Sequence, residues 1–209
     1  MVALLVALAL VSPNSDSQKV LAAYLDECNV KAIAHVSTAS LRRIYAASSK
    51  GGDKRAAAAY YLALRLGPRD EYLKAIANTE LEPAGESIGP ALGSLIEKYH
   101  SVLAFDLLLA ARLDGASGEI ACDAVGDLIK HHLTFCAHRI AFLANHNLST
   151  AANSRKLENF QGAVALSDIR PRDISEAAAQ KDKDVRFLKQ AIQKIAKETK
   201  ADDDEPGTP

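Results

Sequence analysis

Several residue types are scarce in this chain of 209 residues, and each scarcity narrows the class of protein. There is no tryptophan, one methionine, three cysteines and only 5% aromatic residues. Neither sign of charge is in excess, since 25 Lys and Arg balance 26 Asp and Glu, whereas a protein that chiefly binds nucleic acid is usually clearly basic. No apolar run reaches the roughly 18–20 residues that a membrane-spanning helix needs. The sequence therefore carries no strong nucleic-acid signal and predicts no transmembrane segment.

The compartment has to be judged from the cysteines and the first residues. Cys28, Cys122 and Cys136 lie far apart and show no Cys-x-x-Cys spacing. An odd number of widely spaced cysteines is typical of a reduced cytosolic protein, so we predict a cytoplasmic location. The alternative is a secreted or periplasmic protein, because residues 2–11 form an apolar run as long as a signal-peptide core. That run has no preceding Lys or Arg and no clean small-x-small cleavage site.

Helix-forming patterns recur along the chain and predict an all-α fold. Alanine is abundant, and no segment shows the alternation typical of a half-buried strand. We expect paired antiparallel helices that form a helical bundle or a short α-solenoid, with long helices over 90–113 and 119–145. Gly85, Gly89 and Gly93 are interpreted as turn residues. The predicted organisation is an apolar segment at 1–14, a helical core domain at 15–146, an irregular connection at 147–172, an amphipathic helix at 173–200 and an acidic disordered tail at 201–209.

One segment has the spacing of a known helical repeat. In residues 50–68, Ala56, Tyr60, Ala63 and Pro68 alternate small, large, small and helix-ending positions. The segment resembles the second half of a tetratricopeptide repeat, and the resemblance implies a concave surface for protein partners. The preceding helix departs from that pattern, and shifts of 34 residues in either direction do not reproduce it. The resemblance covers at most one repeat, and no binding residue of the family carries over.

Polar side chains concentrate in one predicted helix, within residues 123–138. Asp127 and His131 are four residues apart and can touch, and His138 falls on the same face. His132 and Cys136 are also four apart, on the apolar face. Either pair, with a ligand from another element, could bind Zn²⁺, and the cluster could equally serve a hydrolytic enzyme. The alternative interpretation is a solvated face opposite a core face, with Cys136 as a small buried side chain.

The predicted last helix has a short heptad-like row of apolar residues. These residues are spaced three, four and three apart and have Lys and Gln around them: Val185, Leu188, Ile192 and Ile195. The row spans barely two heptads, fewer than a coiled coil needs. It predicts either a helix packed on its own domain or a helix that binds a partner protein or a second copy of the chain.

The sequence has none of the short motifs that mark common catalytic sites. It contains no Gly-rich phosphate loop, no Gly-x-Ser-x-Gly and no His-Glu-x-x-His. We therefore predict a non-catalytic helical interaction protein, an adaptor or subunit of a larger assembly, with protein partners and no cofactor. Self-association is compatible with the sequence. The alternatives are the metal-binding or hydrolytic enzyme and the secreted helical protein.

Overall fold

The computed structural model describes residues 13–79, 84–111, 115–145 and 151–203, and within these ranges the chain forms helices and no strand. The predicted all-α fold is thereby confirmed. The α-helices of the described part are α1 (Pro13–Leu25), α2 (Thr38–Ala47), α3 (Asp53–Leu66), α4 (Asp70–Ala77), α5 (Ile88–Tyr99), α6 (Val102–Ala110), α7 (Gly115–His131), α8 (Leu133–Asn145), α9 (Ala151–Leu166), α10 (Glu176–Lys181) and α11 (Lys183–Asp203).

Helix α3 lies at the centre of the first half and packs against α1, α2 and α4. Its alanines favour helix and allow neighbouring helices to approach closely. Ala56, Tyr60 and Ala63 are all buried, as their spacing predicts. The helix ends at Gly67, which has a φ of 96° and donates its N–H to the Ala63 carbonyl, and Pro68 follows. The resemblance to a tetratricopeptide repeat stays a prediction.

Three helices that the sequence predicts as continuous are interrupted in the structure. The predicted helix at 90–113 divides into α5 and α6 because His100 adopts the left-handed conformation, with a φ of 49°, and Ser101 caps α6. The predicted helix at 119–145 bends at His132, so that α7 packs on α5 and α9 while α8 packs on α11. The predicted helix at 173–200 divides at Asp182, whose carboxylate accepts the first backbone N–H groups of α11.

The irregular connection predicted at 147–172 is also wrong over most of its length. Helix α9 occupies Ala151–Leu166, and only a 3₁₀ turn at Pro171–Asp173 follows before α10. Phe160, Ala163 and Val164 are buried, because α9 packs between α6, α7, α8 and α11. These tertiary contacts compensate for a sequence that has little amphipathic pattern of its own.

Both predicted terminal segments lie partly outside the described residues. The apolar segment at 1–14 is described only from Pro13, where α1 begins, so residues 2–11 lie outside it. The predicted acidic tail begins at 201, but α11 continues to Asp203, and the remainder lies outside the described part. No helix in that part combines the length and the apolar character needed to cross a membrane.

A partly buried ion network connects three helices of the second half. Asp106 on α6 accepts hydrogen bonds from Arg139 Nε on α8 at 2.7 Å and from Lys156 Nζ on α9 at 2.7 Å. The three side chains are 13%, 17% and 17% exposed. Asn159, also on α9, donates to the carbonyls of Leu109 and Ala111 at the end of α6. The network therefore sets how α6, α8 and α9 pack together.

Gly89 and Gly93 are not turn residues, since both lie on α5 where it meets α7. We expect Gly89→Ala to lower the free energy of unfolding by about 1–3 kcal/mol. An added Cβ would lie 3.1 Å from the Ala121 Cα and from the Ile120 carbonyl oxygen, so the helices would have to separate. Gly93→Ala is the matched control, because its Cβ would lie 3.8 Å from the Ala124 Cβ. Urea unfolding measures both, and equal stability of the two variants would contradict the close approach.

Candidate functional site

In the described part of the chain, the predicted His132–Cys136 pair has no third His, Cys, Asp or Glu side chain placed to share a metal ion with it. The Cys136 thiol is fully buried, and burial raises its pKa to about 12. His132 instead lies beside His100, with 3.3 Å between His132 Nδ1 and His100 Nε2. The two rings meet at a steep angle, and His100 also packs against Phe135.

The predicted Asp127–His131 pair is not joined by a third ligand in the described part of the chain. Asp127 lies 3.9 Å from Lys130 on the same helix and is exposed. His131 is exposed at the end of α7. This arrangement is that of the solvated face, the alternative interpretation of the sequence.

His138, the remaining metal candidate, has acidic neighbours that are distant in sequence. The break between α10 and α11 brings two carboxylates to it. His138 Nε2 lies 2.9 Å from Asp182 Oδ2 and 3.8 Å from Asp184 Oδ2. Within residues 13–79, 84–111, 115–145 and 151–203, these are the only three His, Cys, Asp or Glu side chains placed to share a metal ion.

The apolar row on α11 lies inside the protein rather than on its surface. Val185, Leu188 and Ile192 are at most 1% exposed and Ile195 is 8% exposed, because α11 packs on α8, α9 and α10. The prediction of a free partner-binding face on this helix is therefore wrong. A two-heptad apolar row has the same sequence pattern whether the helix packs on its own domain or binds a partner. Only the tertiary structure distinguishes the two cases.

A groove lies beside Ile195, between the end of α9, the 3₁₀ turn at Pro171–Asp173 and the second half of α11. We call it the α9–α11 groove; its volume is about 870 Å³. Leu166, next to the groove residue Ala165, is 64% exposed, the largest exposure among the large apolar side chains of the described part. The apolar residues that line the groove are Val164, Ala165, Ile169, Pro171, Ile195 and Ala196.

The polar rim of the α9–α11 groove is basic. Arg170, Arg172 and Lys197 line it and are exposed, and none of the described lining residues is acidic. Arg170 is held in place, because its Nη1 donates to the Ser167 and Ile169 carbonyls at 3.0 and 2.9 Å. Three positive charges therefore surround an apolar floor.

Sequence reasoning missed this groove because the segment was interpreted as irregular. The residues Ile169-Arg170-Pro171-Arg172 alternate apolar or ring side chains with arginines. That alternation is the one local signal that could have indicated a basic rim. The contribution of Lys197, on a helix further along the chain, has no signal in the sequence.

A second cavity, of about 510 Å³, lies between α1, α2 and the start of α3. Its charged lining residues are of both signs, namely Asp16, Arg43, Asp53 and Lys54. The charges balance, so this cavity selects less strongly by charge than the α9–α11 groove does.

No protein-family model matches the chain, and comparisons with curated proteins and with solved structures give no significant match.

Proposed function

We propose that this chain is a non-catalytic interaction protein that binds an acidic segment of a partner protein in the α9–α11 groove. The observation that supports this most strongly is the combination of an apolar floor with a rim of Arg170, Arg172 and Lys197. The chain as a whole has a formal net charge of −1, so this rim is a local concentration of positive charge. Complementary charge at a rim steers association and selects the partner.

The size of the groove indicates the size of the occupant. A volume of about 870 Å³ is near the upper end of ordinary ligand pockets, about 300–1,000 Å³. Such a space accommodates a few side chains of a peptide segment. The accessible apolar lining of Ala165, Pro171 and Ala196 favours apolar side chains from the partner, and the exposed arginines favour carboxylates beside them.

The chemistry of the lining residues also favours binding over catalysis. None of the described lining residues is a His, Cys, Asp or Glu, so the groove offers no obvious general base. Thr199 lines the groove, but its hydroxyl donates to the Ile195 carbonyl at 3.0 Å. This arrangement supports an adaptor or complex subunit, as the sequence predicts. The cytoplasmic location stays a prediction, and residues 2–11, on which the secreted alternative depends, lie outside the described part.

The test is the affinity for a labelled peptide of alternating Glu and Leu, measured by fluorescence anisotropy. We expect wild-type protein to bind it and Arg172→Glu/Lys197→Glu to bind at least about fivefold more weakly, with an affinity that falls as salt is added. Within the described part of the chain, the Arg172 and Lys197 side chains make no hydrogen bond like those of Arg170 to the Ser167 and Ile169 carbonyls. The matched control is Arg42→Glu/Lys50→Glu, which makes the same charge change at exposed positions outside the groove.

Three results would contradict this proposal. The first is equal weakening by the two double variants, which would mean that only overall charge matters. The second is equal binding of a peptide with Lys in place of Glu. The third is tighter binding of an oligonucleotide than of the acidic peptide, which would make the rim a nucleic-acid surface.

A further inference from the structure

Three potential metal ligands converge where α10 ends and α11 begins, opposite α8. One potential ligand atom each from His138, Asp182 and Asp184 lies within 4.8 Å of the other two. The imidazole and the carboxylates come from distant parts of the chain, since His138 and Asp182 are 44 residues apart in sequence. The donor set therefore combines one nitrogen with two oxygens, and it is assembled by the tertiary fold.

Local structure orients the carboxylate of Asp182. Asp182 Oδ1 accepts the backbone N–H groups of Asp184 at 2.8 Å and of Val185 at 3.3 Å, which leaves Oδ2 directed at His138. The carboxylate side chains are 26% and 25% exposed, whereas His138 is 56% exposed, so an ion can enter from the His138 side.

The distances suit a small transition-metal ion. Tetrahedral Zn²⁺ with bonds of about 2.0–2.1 Å places neighbouring ligand atoms about 3.3 Å apart. The separations of 2.9 Å and 3.8 Å from His138 Nε2 lie on either side of that value, so small side-chain rotations are sufficient. An imidazole ligand favours zinc and similar ions over Mg²⁺ and Ca²⁺, which prefer oxygen ligands alone.

We propose that His138, Asp182 and Asp184 bind one Zn²⁺ ion, with the fourth position left to water. The bound ion would connect α8 to the start of α11 and so stabilise the packing of the last helices. The site is separate from the α9–α11 groove, and its occupant is a divalent cation rather than a peptide.

Isothermal titration of EDTA-treated protein with zinc chloride tests the site. We expect one ion per chain, and at least about tenfold weaker binding in His138→Ala and in Asp184→Asn. Asp184→Asn removes a ligand without removing the α11 cap, because Asp182 provides that cap. The matched controls are His131→Ala and Asp127→Asn, which remove a histidine and an aspartate on α7 and should leave the affinity unchanged.

Thermal unfolding provides a second measurement that a merely adventitious ion would not reproduce. Zinc at about 100 times its dissociation constant should raise the midpoint of the wild type by several degrees, and should leave His138→Ala unchanged. The proposal is overturned if no zinc binds stoichiometrically, if binding persists in both His138→Ala and Asp184→Asn, or if His131→Ala abolishes it. Groove variants such as Arg172→Glu/Lys197→Glu should bind zinc like the wild type.

Discussion

Replacing Asp106 with alanine should lower the free energy of unfolding by about 2–4 kcal/mol. Removing one partner of a buried ion pair costs about 3–5 kcal/mol, because the other charge is left without compensation. Here Arg139 and Lys156 would both be left at 17% exposure, and partial access of water reduces the cost. Because the three side chains come from α6, α8 and α9, the loss should appear as a lower urea midpoint of the whole transition.

The pH dependence of the free energy of unfolding distinguishes the effect of the Asp106 charge from the effect of the side chain's shape. Burial alone would raise the pKa of this carboxyl, but hydrogen bonds from Arg139 and Lys156 outweigh burial and lower it. A carboxyl with a lowered folded pKa stabilises the fold above its unfolded pKa of about 3.9, and the contribution is lost as pH falls through the folded pKa. The stability difference between wild type and Asp106→Asn should therefore be steady from about pH 5 to 7 and shrink below about pH 4.

An exposed ion pair provides the control for this prediction. Asp168 accepts a hydrogen bond from Lys130 at 2.5 Å, but its side chain is 81% exposed. Water screens such pairs, so Asp168→Ala should leave the urea midpoint unchanged within error. If Asp106→Ala is as mild as Asp168→Ala, the network does not set the packing of α6, α8 and α9.

Leu188→Asp is expected to remove more than about 4 kcal/mol of stability, because it places a charge with no partner in the core. Leu188 is fully buried on α11, where that helix packs on α8, α9 and α10. The milder Leu188→Ala should cost about 2–5 kcal/mol through the cavity it leaves. Circular dichroism during urea unfolding measures both effects.

The matched control for Leu188→Asp is the same change two residues away. Gln190 is exposed on α11, so Gln190→Asp should alter stability by less than about 0.5 kcal/mol. If Leu188→Asp left the urea midpoint of the wild type unchanged, the apolar row would not be a core element. The sequence-based alternative of a partner-binding face on the last helix would then have to be restored.

The local helix chemistry was readable from the sequence, but the helix interruptions were not. Gly67 followed by Pro68 ends α3 as predicted, because glycine adopts a positive φ without a Cβ clash and proline cannot continue a helix. His100, His132 and Asp182 carry no comparable local signal. Histidine in a left-handed conformation is stabilised by its surroundings, and an aspartate caps a helix only if its own backbone is extended, as that of Asp182 is. Helix α9 likewise depends on contacts with four other helices, which no local pattern contains.

The candidate sites likewise combine residues that the sequence identified with arrangements that only the fold provides. The sequence identified His138 as a potential ligand, but its helical pattern grouped His138 with Asp127 and His131. The carboxylates that lie beside His138 are instead provided by the break between α10 and α11. The row of Leu188 and Ile192 was recognised as apolar, but whether its own domain or a partner buries it depends on tertiary structure. The basic rim requires Arg172 in the 3₁₀ turn and Lys197 on α11 to line the same groove, which only the fold establishes.

The most direct test of the proposed function is to observe where the acidic peptide binds. Backbone amide resonances of ¹⁵N-labelled protein would be followed while the Glu-Leu peptide is added. We predict that the largest shifts fall in residues 164–172 and 193–199, and that Arg172→Glu/Lys197→Glu removes them. Shifts confined to other helices, or none at peptide concentrations that saturate the anisotropy signal, would contradict binding in the α9–α11 groove.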